Sequence, residues 1–411
     1  MNNSIKLFEL ALQLEPPWCI KDVKFTPTTG KISGQLDIYL DFEKGAKFND
    51  DSDAACSVHD TIEKTWRHLD FFQHTCYLHA RVPRIKTSEE KVRLVQVPWA
   101  RPGSGFTLLF EAFAMLLIEN EMPVNKTASV MNVYAHRLWT VFNYWIGLAF
   151  SKDDPDDIQQ MGIDETSTRK GHNYVTITVD LKRSRTVFVS PGKDEETIQT
   201  LCNYLKNKGV EPKQITHSAI DMSIPYISGL KKYFPDTAIV FDRFHLKKVV
   251  NKAMDELRKE ERRQHTELKG SKYIFLKNQK NLNDHQRYSK FELMESFPKL
   301  GDGVRLVELF DDFFAFDDKE KASAYLAYWC DMAEESEIIP FQDCMKTIRS
   351  HWQGIINYTE TKISTGFLEG INSKIQLAKR RARGFRNIDN FINMIYFLTA
   401  DLQYDYPRIS T

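Results

Sequence analysis

A chain of 411 residues is longer than one compact core supports and calls for two or three domains. With 42% apolar and 12% aromatic residues it is not a disordered protein, and 56 basic against 56 acidic residues leave no net charge, so affinity for a polyanion has to come from local clustering. No apolar run reaches the roughly 20 residues that span a bilayer, no signal-peptide pattern opens the chain, and six scattered cysteines make no disulfide framework; a reducing cytoplasm is expected.

Residues 1–104 read as a small, mostly β module. Segments 31–42, 75–83 and 92–98 alternate apolar and polar residues, the period of a half-buried strand. Two Cys-x2-His pairs occur here, Cys56/His59 and Cys76/His79, the donor types that hold zinc. Cys76 and His79 lie three apart in a strand and so point to opposite faces, which argues against zinc. Residues 105–150 change to helical texture. An apolar helix from Phe106 is followed by a short helix over 124–131, a turn near Asn132, and a second helix carrying His136 and Arg137. That order is a helix-turn-helix, with Arg137 as a candidate DNA contact.

The acidic, Pro-containing stretch 151–157 is a domain break. Beyond it the pattern predicts strands around 161–165 and over 173–180 and 185–190, a helix over 194–208, a strand over 214–220, a helix over 224–234, a strand over 237–241 and a long helix from His245. Three antiparallel strands followed by helix-linked strands require a mixed sheet. Asp164, Asp221 and Asp242 each fall at or near a strand end, where open α/β sheets gather ligand-binding groups. Residues 255–345 are helical and highly charged, an insertion between the sheet and the last hundred residues. There Glu369 opens a helical pattern and is followed by Lys374, Lys379, Arg380, Arg381, Arg383 and Arg386, a run that binds phosphate by charge. Carboxylates converging at one sheet edge suit Mg²⁺ or Mn²⁺, and two such ions support in-line phosphodiester displacement.

The blocks carrying these residues resemble bacterial insertion-sequence transposases of the ISL3 family. Gly162-Ile-Asp-Glu-Thr-Ser-Thr-Arg-Lys-Gly-His-Asn-Tyr-Val-Thr is similar to the first catalytic block. Asp221-Met-Ser, Ile239-Val-Phe-Asp-Arg-Phe-His-Leu-Lys-Lys, and Gly366-Phe-Leu-Glu-Gly-Ile-Asn-Ser-Lys-Ile with the basic run after it resemble the later ones, while Pro98-Trp-Ala-Arg-Pro-Gly-Ser-Gly-Phe-Thr looks like the family's approach to its helix-turn-helix.

The resemblance implies an α/β, ribonuclease-H-like mixed sheet with a large helical insertion, preceded by the β module and the helix-turn-helix. It implies an Asp-Asp-Glu set of metal ligands: Asp164, Asp221 and Glu369, with Asp242 the alternative second acid and His245 orienting phosphate or a metal-bound carboxylate. Lys170 joins Arg137 and the 374–386 cations as nucleic-acid contacts. The implied activity is cleavage at terminal inverted repeats and strand transfer into target DNA by a homodimer in the bacterial nucleoid. Family members carry a cysteine-rich zinc module at the N-terminus, but the expected cysteine pairs are missing around Phe48 and Lys86, so zinc is not expected. The implied domains are 1–104, 105–150, a catalytic domain of 151–254 with 346–411, and the insertion 255–345. The alternatives are a nuclease or a domesticated descendant that only binds DNA, and a transcription regulator with a ligand-binding α/β domain, which needs neither Glu369 nor a metal.

Overall fold

A computed structural model describes residues 3–28, 33–87, 90–168, 173–363 and 366–407. The chain forms two compact units, one of residues 1–151 with 403–411 and the other of residues 152–402.

In the first unit, α1 (Asn3–Ala11) precedes a sheet of β1 (Trp18–Pro27), β2 (Gly34–Phe42), β3 (Lys47–Asn49), β4 (Ala55–Phe71), β5 (His74–Lys86) and β6 (Val92–Leu94), ordered β1-β2-β5-β4-β3 with β6 on β5. Only β2 and β5 run parallel. The buried row on these two strands, Leu36, Ile38, Leu40, Cys76, Leu78 and Ala80, follows the two-residue period and packs with Trp18, Trp66 and Trp99. β4 spans 17 residues, and its first half buries almost nothing.

Three helices follow: α2 (Leu108–Glu119), α3 (Val124–Val130) and α4 (Ala135–Lys152), with Asn132 at φ 53° turning the chain between the last two. The positive φ suits Asn, whose side chain tolerates the left-handed region. Glu111 of α2 has no exposed surface and accepts from Arg101 Nε and Trp145 Nε1, both at 2.8 Å, and from Ser104 Oγ at 2.5 Å. A buried carboxylate is tolerable only when so paired, and this one fastens the approach loop to both α2 and α4.

His68 on β4 shares a 2.8 Å hydrogen bond with Thr107, the N-cap of α2, and burial pushes its imidazole down to about 4. The sign follows from linkage. The unfolded chain takes up a proton near pH 6.5 that the folded unit refuses until about pH 4, so stability falls as pH drops through that window, by at most about 3 kcal/mol at ~1.4 kcal/mol per pH unit. Unfolding followed by tryptophan fluorescence between pH 7 and 4 should show this loss, and His68→Gln should flatten it.

The second unit holds a five-stranded sheet of β7 (Gln160–Ser167), β8 (Tyr174–Asp180), β9 (Arg185–Pro191), β10 (His217–Ile220) and β11 (Ala238–Phe241), ordered β11-β10-β7-β8-β9. β7, β8 and β9 are antiparallel, and β10 and β11 run parallel to β7. α5 (Glu195–Asn207), opened by an Asp194 capping box, connects β9 to β10, and α6 (Ile224–Tyr233) connects β10 to β11. A helical stretch follows, made of α7 (Arg243–Gln264), α8 (Lys272–Leu276), α9 (Asp284–Ser296), α10 (Pro298–Asp312), α11 (Lys319–Glu335) and α12 (Ile339–Ser350). Its apolar faces join the sheet in one continuous core, from Ile163 and Val240 through Leu246 and Met254 to Trp329 and Phe341.

α13 (Trp352–Thr361) and α15 (Ile388–Thr399) close the two sheet edges. Asn357 donates to Ile239 O of β11 at 2.9 Å, and the Tyr396 hydroxyl accepts from Val189 N of β9 at 2.8 Å. Edge groups left open would invite pairing with other chains. Gly354 lets α13 sit against β11, where a Cβ would stand 2.4 Å from the Phe241 ring. Between these two helices runs α14 (Gly366–Arg381). Among the described residues no helix is long and apolar enough to cross a membrane.

Candidate active site

The site is built where β7, β10, β11 and α14 meet. β10 pairs with β7 as Ala219 to Gly162, and with β11 as Ile220 to Phe241. Continuing each register by one or two residues puts Asp164, Asp221 and Asp242 on one row across three strands. Asp221 and Asp242 directly follow their strands as expected, but Asp164 lies inside β7, fifth of its eight residues. β7 continues past the row because β8 pairs with it as far as Ser167, whereas β10 has already turned away into α6.

α14 lies along β7 in matched steps. Leu368 packs over Gly162, where a Cβ would come within 2.9 Å of its Cδ1. Asn372 donates to Asp164 Oδ2 at 2.6 Å, Gln376 to Thr166 Oγ1 at 2.8 Å, and Lys379 to Ser167 O at 2.7 Å. Four helical residues rise about 6 Å and two strand residues about 6.6 Å, so residues four apart on the helix keep meeting residues two apart on the strand.

Glu369, next to Leu368, is exposed and lines a cavity of about 350 Å³ with Asp242, Arg243, Phe244, Lys247, Tyr358, Ile363 and Gly366. The structure therefore brings Glu369 beside Asp242, while Asp164 is held by Asn372 one turn further along the helix. Among the described residues no three His, Cys, Asp or Glu side chains converge closely enough to form a ligand shell as they stand.

The electrostatics record a crowded set of acids. Burial pushes the Asp164 carboxyl up, opposed by the Glu165 amide, the His245 imidazole and Asn372, with Asp221 raising it further. Burial also pushes up Glu165, and Asp221 and Asp164 add to the rise. His245 is raised by its contact with Asp242 and by the fields of Asp164 and Asp221. Its Nδ1 lies 3.3 Å from Asp242 Oδ2 but is not aligned as a hydrogen bond, so the attraction is one of charge. Asp221 Oδ1 accepts from Ser223 N, and Asp242 Oδ1 caps α7 through Phe244 N, each at 3.0 Å.

The cations divide by use. Lys374, Arg380, Arg381, Arg383 and Arg386 are exposed on and just after α14, but Lys379 is engaged by β7. Arg137 folds back over the Phe106 ring at 4.2 Å, while Tyr134, just ahead of α4, and His136 and Thr140 in its first turns are exposed. Lys170 lies outside the described residues. Sequence reading missed Glu165 and Asn372. Glu165 had a signal, since it adjoins Asp164 in an Asp-Glu pair, but Asn372 had none.

The family model for the transposase of ISL3-type elements matches residues 161–395, more than half the chain, and covers the whole row of acids and α14. The chain belongs to the ISL3 family of transposases. A model of the helix-turn-helix domain of the same family matches residues 95–146. The transposase of insertion sequence IS1001 from Bordetella parapertussis is 26% identical over 369 residues, 87% of this chain and 89% of the relative. That of IS1557 from Mycobacterium tuberculosis is 26% identical over 385 residues, 84% of this chain and 85% of the relative. The transposase is thus an enzyme acting on DNA, with a DNA-binding helix-turn-helix ahead of its mixed α/β unit.

One expectation is corrected. Residues 52–88 match the zinc-finger of the IS204/IS1001/IS1096/IS1165 transposases, which removes the ground for setting zinc aside in this module. Among the described residues the two Cys-x2-His pairs do not gather into one cluster. Cys76 faces the core with its thiol pushed up to about 12, and His79 uses both nitrogens on Asp37 and Thr65, at 2.8 and 2.9 Å. On β4, Cys56 is half-buried, while His59 is exposed at a bulge between Val58 and Asp60.

Proposed function

We propose that the sheet unit is a ribonuclease-H-like catalytic domain in which Asp164, Asp221 and Glu369 hold divalent metal for cleavage and joining of insertion-sequence ends. The observation that carries this reading is the level row of Asp164, Asp221 and Asp242 combined with α14, whose Asn372 bonds Asp164 and whose Glu369, 205 positions on (369 − 164), lines a cavity with Asp242 at the end of that row. The strand order, three antiparallel strands with two parallel ones added beside the first, agrees with it.

The donors are all carboxylate oxygens, which suit Mg²⁺ or Mn²⁺, and the Asp164 carboxyl, raised by burial and further by Asp221, gains from a cation beside it. An ion held by Asp164, Asp221 and Glu369 would supply the activation of the attacking water or 3′-hydroxyl and the stabilisation of the leaving oxygen. Asp221 is the better second acid. Asp242 has one oxygen on the α7 cap and the other beside His245, whereas Asp221 spends one oxygen on Ser223. Asp242 then fixes the His245 imidazole, which with its raised affinity for protons faces a DNA phosphate as a cation. Residues 1–104 and 105–150 read the terminal inverted repeats, residues 151–254 and 346–411 carry the chemistry, and 255–345 is the insertion. Joining two ends calls for a homodimer.

Cleavage of a duplex carrying the element end, with Mg²⁺ and with EDTA, tests this. Strand cleavage at the end in Mg²⁺ alone is expected, and binding without cleavage in either Mg²⁺ or Mn²⁺ would favour a DNA-binding descendant. The exposed cations give a second test. Replacing Arg380, Arg381 and Arg383 with Ala should weaken binding to any sequence and flatten the salt dependence by up to about 0.9 per lost phosphate contact. An unaltered slope in filter binding from 50 to 200 mM salt would take this surface out of the DNA path.

A further inference from the structure

We infer that Asn372 is a positioning residue for the metal centre, one that sets the angle of the Asp164 carboxylate. The inference rests on reading Asp164 as an ion ligand. Two donors hold that carboxylate: Asn372 Nδ2 on Oδ2 at 2.6 Å and Glu165 N on Oδ1 at 2.8 Å. With both oxygens held, the carboxylate plane has no freedom to turn. The amide of Asn372 can face only one way, because the opposite orientation would set two acceptors against each other.

Docking of α14 does not explain this residue. Leu368 on Gly162, Gln376 on Thr166 and Lys379 on Ser167 already fix the helix to β7. Asn372 Oδ1 is buried and has no donor, a cost that an apolar side chain of the same shape would avoid. What Asn372 supplies that Leu would not is a donor aimed at Asp164. It also ties the Asp164 angle to the helix that carries Glu369 three residues earlier, so both acids move with one element.

The test uses the full-length protein and three variants: Asn372→Leu, Asn372→Gln and Gln376→Leu. The last removes another tie between α14 and β7 without touching Asp164. Mn²⁺ binding is read without DNA from the free-ion EPR signal, and the Mg²⁺ concentration for half-maximal end cleavage is read beside it. Asn372→Leu should weaken Mn²⁺ binding about 10–100-fold and raise the Mg²⁺ requirement in step. Gln376→Leu should leave both near wild type even where it lowers the melting temperature. If Asn372→Leu does not fold, Asn372→Gln decides: its donor sits one methylene out of place and should weaken Mn²⁺ binding by several-fold. Wild-type Mn²⁺ binding in the folded Asn372 variant, or equal losses in the Asn372 and Gln376 variants, would overturn the inference. Asp164→Asn separates it from the reading beneath it. Loss of Mn²⁺ in Asp164→Asn but not in the Asn372 variants refutes only the role of Asn372, whereas wild-type Mn²⁺ binding and cleavage by Asp164→Asn refute Asp164 as a ligand.

Discussion

Asp164→Asn is expected to lower end cleavage by at least about 10³-fold, since a metal centre contributes several kcal/mol to the transition state and each ~1.4 kcal/mol is a factor of ten. Glu369→Gln should do the same. Binding of end DNA should survive both changes, because the helix-turn-helix and β module lie in the other unit. Melting curves add a readout independent of turnover. Without metal, Asp164→Asn should melt at or above the wild-type temperature, because it removes charge from a buried, mutually repelling set. With Mn²⁺, wild type should gain stability and the variant should not. Cleavage within a few-fold of wild type by either variant would remove that residue from the site.

The second large effect is expected at Glu111. Glu111→Ala strips the partner from Arg101, whose side chain is nearly as buried, and leaves Trp145 and Ser104 donors facing a cavity. Breaking a buried pair from one side costs about 3–5 kcal/mol. For a unit of this size that lowers its melting transition by on the order of 10 °C. Differential scanning calorimetry should show the loss in one transition only, with end binding disappearing at temperatures where the second unit stays folded. A shift under 2 °C, on the scale of a surface change, would mean the network does not hold the helix-turn-helix in place.

Much of the fold was legible because it is written in local periods. The alternation in 174–180 and 185–190 gave β8 and β9, and the acidic first turn after Asp194 marked the start of α5. β4 escaped notice altogether, and its first half, with almost no buried face, has no apolar alternation to detect. At the site, the acids could be found as carboxylates beside strands, but which of them share a row depends on register, which no local pattern carries. Lys379 and Arg137 look in sequence like their exposed neighbours; only packing shows that one is spent on Ser167 and the other on Phe106. Asn372 was invisible for the same reason, since its partner lies 208 residues away.

Asp164, Asp221 and Glu369 are proposed to share one metal ion. A crystal structure of the transposase with end DNA and Mn²⁺, read by anomalous scattering, tests it most directly. Manganese is expected within about 2.0–2.4 Å of oxygens from all three residues, with Asn372 still bonded to Asp164. Manganese held by Asp242 in place of Asp221, or bound with Glu369 out of reach, would contradict it.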